Sequence, residues 1–229
     1  MPGTRGRNSK QVRYKRIVGV TIKALIFEGE GERLDFKNRI SNCGKIAKTL
    51  VAFANTKRGK LLVGVADDGA IKGVKSEEEE KYMLHRAGQQ YCRPAIELHF
   101  TELYVDDKLV LVAEVAESDL KPHYALDDSG KWWVYVRVDD KSLLAGKVVV
   151  DVLRQSNRLE GVRFSYTEKE KALMEYMQTH PRAHLPELCD HLQLSRRRTR
   201  RILVNLIVAG VIEVHNGDHE EFYTERTDF

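Results

Sequence analysis

Five arginines occupy six consecutive positions, Arg196, Arg197, Arg198, Arg200 and Arg201, interrupted only by Thr199. A guanidinium is planar, always charged, and carries a fork of N–H donors that matches phosphate oxygens and the guanine edge. Ser195 precedes them in N-cap position, Ile202, Leu203, Leu206 and Ile207 follow as an apolar stripe, and Gly210 closes the run. That pattern predicts a helix. Cations in its N-terminal half oppose the helix dipole and repel one another. A polyanion partner explains what stability does not, so Arg196, Arg197, Arg198, Thr199, Arg200 and Arg201 are expected to bind nucleic acid.

The elements around this helix follow from local signals. Thr167-Glu-Lys-Glu170 is a capping box opening a helix lined by Leu173, Met174 and Met177 and ended by Pro181. Leu185–Leu192 predicts a short second helix. Val211–Asp218 and Glu221–Thr224 alternate around Asn216-Gly217, a hairpin signal. Helix, helix, arginine-rich helix and hairpin resemble the winged helix-turn-helix of bacterial transcription regulators, over 163–229. The resemblance implies that the arginine helix reaches base edges. Glu220, Glu221 and Glu225 make the wing acidic, so it is not expected to lie along DNA. His180, His184, Cys189 and His191 crowd together but lack the paired knuckles of structural zinc sites.

Nearer the N-terminus, Leu34 and Phe36 alternate with Asp35 and Lys37, the period of a half-buried strand. Ile46, Leu50, Phe53 and Ala54 recur at helical spacing. The helix is expected to stop at Asn55–Gly59, with Gly59 supplying a positive φ. Lys60–Val65 reads as a buried strand closed by the turn Asp67-Asp68-Gly69. Strand, helix and strand thus place Asp35, Lys37 and Asp67 at strand ends or edges.

Leu34-Asp-Phe-Lys37, Ala52-Phe-Ala-Asn-Thr56, Gly59, Leu62-Val-Gly-Val65, Asp67-Asp-Gly69, Gly73-Val74 and Tyr135-Val-Arg-Val138 together resemble the Alba-like domain of the Schlafen superfamily. The resemblance covers roughly 25–155. In Schlafen-type ribonucleases this strand carries two carboxylates and a lysine at the spacing of Glu30, Asp35 and Lys37, and Asp67 best matches the third acid. The resemblance therefore implies a catalytic set Glu30, Asp35, Lys37 and Asp67, with Glu30, Asp35 and Asp67 on Mg²⁺ or Mn²⁺. Such an ion stabilises developing phosphorane charge and acidifies a bound water. Two departures weigh against it: Asp35 is shorter than the usual glutamate, and Ala66 stands where an aspartate is frequent. Read without the family, the same residues make an acidic glycine loop and a solvated Asp35–Lys37 pair worth little. ATP, suggested by an older label of the family, finds no phosphate-loop pattern here; Gly44–Thr49 reads as the first turn of a helix. Asp139 follows Val138 where the family usually has glycine, so a different turn is expected there.

Between these regions, Ser76–Gln90 predicts a helix opened by Glu77–Glu80, and Ile96–Phe100 a strand. Tyr104–Val112 predicts a hairpin turning at Asp106-Asp107, Trp132–Val138 a strand, and Val148–Leu153 a helix followed by a linker at Gln155–Arg158. Lys121, His123, Tyr124, Trp132, Trp133 and Arg137 mix basic and aromatic groups. They read either as a face that stacks bases, with Lys121 and Arg137 on phosphates, or as sheet packing with Arg137 solvated.

Composition sets the outer limits. The chain has 229 residues and a net charge of +4, yet Arg5, Arg7, Lys10, Arg13, Lys15 and Arg16 exceed that alone. The remainder is slightly acidic, so nucleic-acid contact must use local patches. No apolar run is long enough for a membrane span, and no apolar segment follows the basic N-terminus as in a secretory signal. Cys43, Cys92 and Cys189 are scattered and odd in number, which suits reduced thiols.

The reading is an α+β protein: a basic tail (1–19), a mixed-sheet Alba-like Schlafen domain (20–157) and a C-terminal winged helix-turn-helix (163–229). It is expected to be a cytoplasmic DNA-binding transcriptional regulator, with RNA a second possible target and a homodimer one assembly. The alternatives are a metal-dependent nuclease and, more weakly, an ATP-binding regulator.

Overall fold

A computed structural model describes residues 22–156, 166–217 and 220–226. The basic tail, part of the linker reading, the start of the 163–229 segment, residues 218–219 and residues 227–229 lie outside the described residues. The chain divides into two compact units. One comprises the residues up to Ser118 with His123–Ser142; the other comprises Asp119–Pro122 with the residues from Leu143 onward.

The first unit is built on a mixed four-stranded sheet ordered β1-β2-β5-β4. Strands β1 (Leu34–Lys37) and β2 (Gly59–Val63) run parallel, joined by helix α2 (Cys43–Asn55). Strand β5 (Lys108–Val115) pairs antiparallel with both β2 and β4 (Leu98–Val105). Alternation sends side chains to two faces, and both are covered. Leu61, Val63, Leu111 and Ala113 pack under α2 and α3 (Glu77–Gln90). Leu34, Phe36, Leu62, Val110 and Val112 pack with Ile22 of α1, described over 22–28. Helix α2 is almost wholly interior, from Cys43 to Asn55, because further strands pack on it besides those of this sheet.

Local chemistry sets most boundaries. Asn42 Oδ1 accepts the Lys45 N–H (2.8 Å) and Ser76 Oγ the Glu79 N–H (3.3 Å), capping α2 and α3. The β4–β5 hairpin turns at Asp106 and Asp107, both left-handed (φ 50° and 60°), as a tight hairpin demands. The strand expected at Ile96–Phe100 and the first arm of the hairpin are one continuous strand, β4. Gly59 does not serve as the helix exit. It opens β2, and the cap falls on Thr56 with φ −104°. Glycine is needed there because a Cβ would meet the Phe53 ring at 2.3 Å.

The remaining strands surround α2. A small sheet of β3 (Cys92–Arg93), β6 (Tyr124–Leu126) and β7 (Trp132–Trp133) lies beyond it. The strand expected over Trp132–Val138 is broken at buried Val134, and its second half, β8 (Tyr135–Val138), packs along α2 and pairs with β9 (Lys141–Leu144). Asp139, which follows β8, has φ 51°. It adopts a left-handed conformation that glycine takes readily, at a modest cost that aspartate tolerates.

The second unit contains α4 (Lys147–Ser156), α5 (Glu168–Thr179), α6 (Leu185–Leu192), α7 (Arg196–Val208) and the antiparallel pair β10 (Ile212–Asn216) and β11 (Glu221–Glu225). The Thr167–Glu170 capping box is formed. Leu173, Met177, Leu188, Leu203, Leu206 and Tyr223 make the core, with Val148 of α4 among them. No described helix is long and apolar enough to cross a membrane.

Candidate functional site

Two clusters carry the residues singled out by the sequence, one in each unit. In the first, Asp35 lies on β1, an edge strand of the four-stranded sheet, and the face that carries it needs cover from another element. It is closed by β8. Asp35 is buried (4% exposed) and Arg137 equally so (4%). Arg137 Nη2 donates to Asp35 Oδ1 (3.0 Å) and Leu34 O (3.3 Å), Nε to Gly31 O (3.0 Å) and Nη1 to Ser142 Oγ (3.3 Å). Its guanidinium carbon lies 5.1 Å from the centre of the Phe53 ring. Arg137 is thus neither solvated nor available to a phosphate, and it leaves the nucleic-acid set. The Asp35–Lys37 pair is likewise no surface ion pair.

Lys37 Nζ lies 2.9 Å from Asp35 Oδ2 and 3.8 Å from Glu30 Oε1, and donates to Phe36 O (2.5 Å). Glu30 Oε1 accepts the Phe36 N–H (2.7 Å). Burial lifts the Glu30 carboxyl above its ordinary range; the Phe36 N–H opposes the rise and the neighbouring Asp35 charge adds to it. Glu30, Asp35 and Lys37 therefore do converge. Asp67 does not join them: it is exposed in the turn after β2. Among the described residues no three His, Cys, Asp or Glu side chains form a group able to hold a metal ion. Asp35 already serves two cations and Glu30 a backbone N–H, so the Glu30, Asp35 and Asp67 set does not fit Mg²⁺ or Mn²⁺ as arranged.

Residues that carried only a resemblance turn out to wire this cluster. Asn55 Nδ2 donates to His123 O (3.0 Å) and Tyr135 O (2.9 Å), and Asn55 Oδ1 accepts the His123 N–H (2.8 Å). Thr56 Oγ1 accepts the Arg137 N–H (2.9 Å). The end of α2 therefore holds β8 in the register that delivers Arg137 to Asp35. His123 is interior too, with Nδ1 2.8 Å from Pro94 O and Nε2 2.6 Å from Ser118 Oγ. Of the basic and aromatic group, Trp133 stays exposed, its Nε1 donating to Asp127 (2.7 Å), and Lys121 is partly buried. Lys131 N–H and Ser129 hold the Asp127 carboxyl down at about 2. At Gly44–Thr49 the first turn of α2 is capped by Asn42, with the Asp128 carboxylate beside Gly44.

These contacts set a family's motif residues around one buried ion pair, and residues 30–145 match the Schlafen, AlbA_2 family. The chain belongs to that family. Among solved structures, this Schlafen AlbA_2 chain is similar to the DIP2311 protein from Corynebacterium diphtheriae, at 15% identity and TM-score 0.42. The match covers 71% of this chain and 38% of that one. It is also similar to the N-terminal domain of a helicase RecG-related protein from Nitrosomonas europaea, at 21% identity and TM-score 0.42, over 66% of this chain and 98% of that one. A comparison with curated proteins gave no match.

The second cluster is on α7. Arg196, Arg197, Arg198 and Arg201 are exposed and Arg200 is half-buried. Thr199 is fully buried and its Oγ1 donates to Ser195 O (3.3 Å), so it cannot touch a ligand and leaves the candidate set. Ser195 occupies the N-cap without a side-chain cap bond, and no acid sits in the first turn. Arg200 Nε meets Asp151 Oδ2 of α4 at 3.0 Å, a contact that no sequence spacing announces. On the hairpin, Glu221 turns inward to accept from the Tyr223 hydroxyl, and Glu220 pairs with Arg182 (3.5 Å). Of the expected acidic wing, Glu220 thus has a cationic partner and Glu221 points inward, while Glu225 stays exposed. His180 stacks on Tyr176 (4.0 Å between centroids), which His191 also contacts (4.5 Å), so these histidines pack as rings.

Proposed function

We propose that this Schlafen AlbA_2 protein binds DNA through α7, with the C-terminal unit acting as a winged helix-turn-helix and the whole as a transcriptional regulator. One observation carries the reading. Four exposed arginines crowd the N-terminal half of a helix whose dipole disfavours them and whose first turn holds no acid. The order of helix, helix, arginine helix and two-stranded hairpin supports it, because such folds present that third helix to the major groove. In this reading the Schlafen AlbA_2 unit senses a ligand or pairs two copies.

Anisotropy of a labelled random-sequence duplex, with the wild-type chain and with Arg196, Arg197, Arg198 and Arg201 changed together to alanine, tests it. Affinity should collapse in the variant; undiminished binding overturns the proposal. The same preparation incubated with labelled RNA and DNA, in Mn²⁺ or in EDTA, examines the nuclease alternative. Metal-dependent cleavage lost in Asp35→Asn would replace the regulator reading by an enzymatic one.

A further inference from the structure

The arginines of α7 do not share one environment. A helix turning once every 3.6 residues sets Arg197, Arg200, Arg201 and Val204 along one flank. That flank borders a groove whose other wall is α4, through Asp151, Arg154 and Gln155. The groove holds about 310 Å³ and is open to solvent. Val148 of α4 sits in the same core as Leu203 and Leu206, and Gln155 Nε2 donates to Asn205 Oδ1 (3.3 Å), so the two walls are tied together. Arg196 and Arg198 lie outside it, exposed.

The charge inside the groove is lopsided. Among the described residues, four guanidiniums line it against one carboxylate, that of Asp151. Asp151 Oδ2 is taken by Arg200 (3.0 Å) and Oδ1 accepts from Arg154 Nη1 (3.4 Å). Arg197 and Arg201 make no ion pair with any described residue. Shape then selects the ligand. Base edges lie at the bottom of a DNA groove and are reached by side chains that protrude, whereas phosphates project from the duplex and fit a concave cationic site. Paired guanidinium forks match phosphate oxygens.

Resting on the DNA-binding reading above, we propose that the groove between α4 and α7 seats a backbone phosphate of duplex DNA. Arg154 contributes from α4, Arg197 and Arg201 from α7. Asp151 holds Arg200 as a strut between the two helices, which fixes the groove before DNA arrives. Arg196 and Arg198 are then the arginines left to approach base edges. The DNA contact surface of the C-terminal unit therefore includes a helix that precedes the winged-helix elements in sequence.

The test is a salt series of duplex binding, using a labelled random-sequence DNA duplex and the full chain. Arg154→Ala and Arg197→Ala should each weaken binding about threefold or more at moderate salt, and each should lower the slope of log affinity against log salt by about 1. Arg154→Gln, which keeps a polar side chain but carries no charge, should behave like the alanine variant, and Asp151→Asn should steepen the slope. Unchanged melting temperatures separate these effects from misfolding. If Arg154→Ala and Arg154→Gln bind like wild type while Arg196→Ala and Arg198→Ala lose affinity, the groove proposal fails and the α7 reading stands. If the wild-type chain binds no duplex at all, both fall.

Discussion

Asp35 on β1 and Arg137 on β8 meet at 3.0 Å with side chains only 6% and 2% exposed, in strands that belong to different sheets. The pair closes the face of an edge strand. Taking two charges out of water is costly, and the return comes from good geometry and from satisfying the remaining donors, here with Gly31, Leu34 and Ser142. The pair is therefore a device that fixes where β8 lies on the sheet.

Arg137→Met should destabilise the first unit by about 3–5 kcal/mol, because it leaves a buried carboxylate without its main partner. The double variant Asp35→Leu with Arg137→Met should cost clearly less than the sum of the singles. Urea unfolding of the four proteins of the cycle measures the coupling. Additive losses would mean that the two side chains act independently.

Asn55 satisfies two carbonyls and one N–H at the end of α2. Asn55→Ala should lower stability by about 1–3 kcal/mol by stranding those buried groups. Asn55→Asp should be worse, since a carboxylate would then face the His123 and Tyr135 carbonyls. Thermal denaturation ranks the two variants; equal effects would sink the donor argument.

Gly59→Ala puts a methyl group where the Phe53 ring already lies, 2.3 Å away. Overpacking of this kind costs about 1–3 kcal/mol. Adding Phe53→Leu should recover part of the loss, which a folding assay on the single and double variants would reveal. A second-site change that makes matters worse would place the strain elsewhere.

Glu30 has a folded-state carboxyl raised by burial. Such a group favours the folded state while protonated, and that contribution is lost as pH rises through the raised value. Glu30→Gln keeps the acceptor for the Phe36 N–H but has no charge to bury. Its stability relative to wild type should therefore increase from acid toward neutral pH. Denaturation midpoints across that range test the sign; a flat difference would show that Glu30 titrates normally.

Local signals carried much of the fold. The capping box at Thr167–Glu170 and the Asp106-Asp107 turn are each satisfied within a few residues of chain, and the apolar stripe of the arginine helix is a local spacing, so composition and spacing suffice to find them. The grouping of Glu30, Asp35 and Lys37 was implied by the family resemblance alone, although all three lie on one short segment. What lay beyond reach is everything that depends on a distant element. Alternation says that Asp35 faces away from Leu34 and Phe36, but not that β8 covers that face and presents Arg137, more than a hundred residues later in sequence. It cannot show that Gly59 is needed by Phe53 and not by φ, or that Thr199 is interior and Arg200 tied to Asp151. A polar residue's type states what bond it can make; only the packing of remote elements decides whether water or a partner makes it.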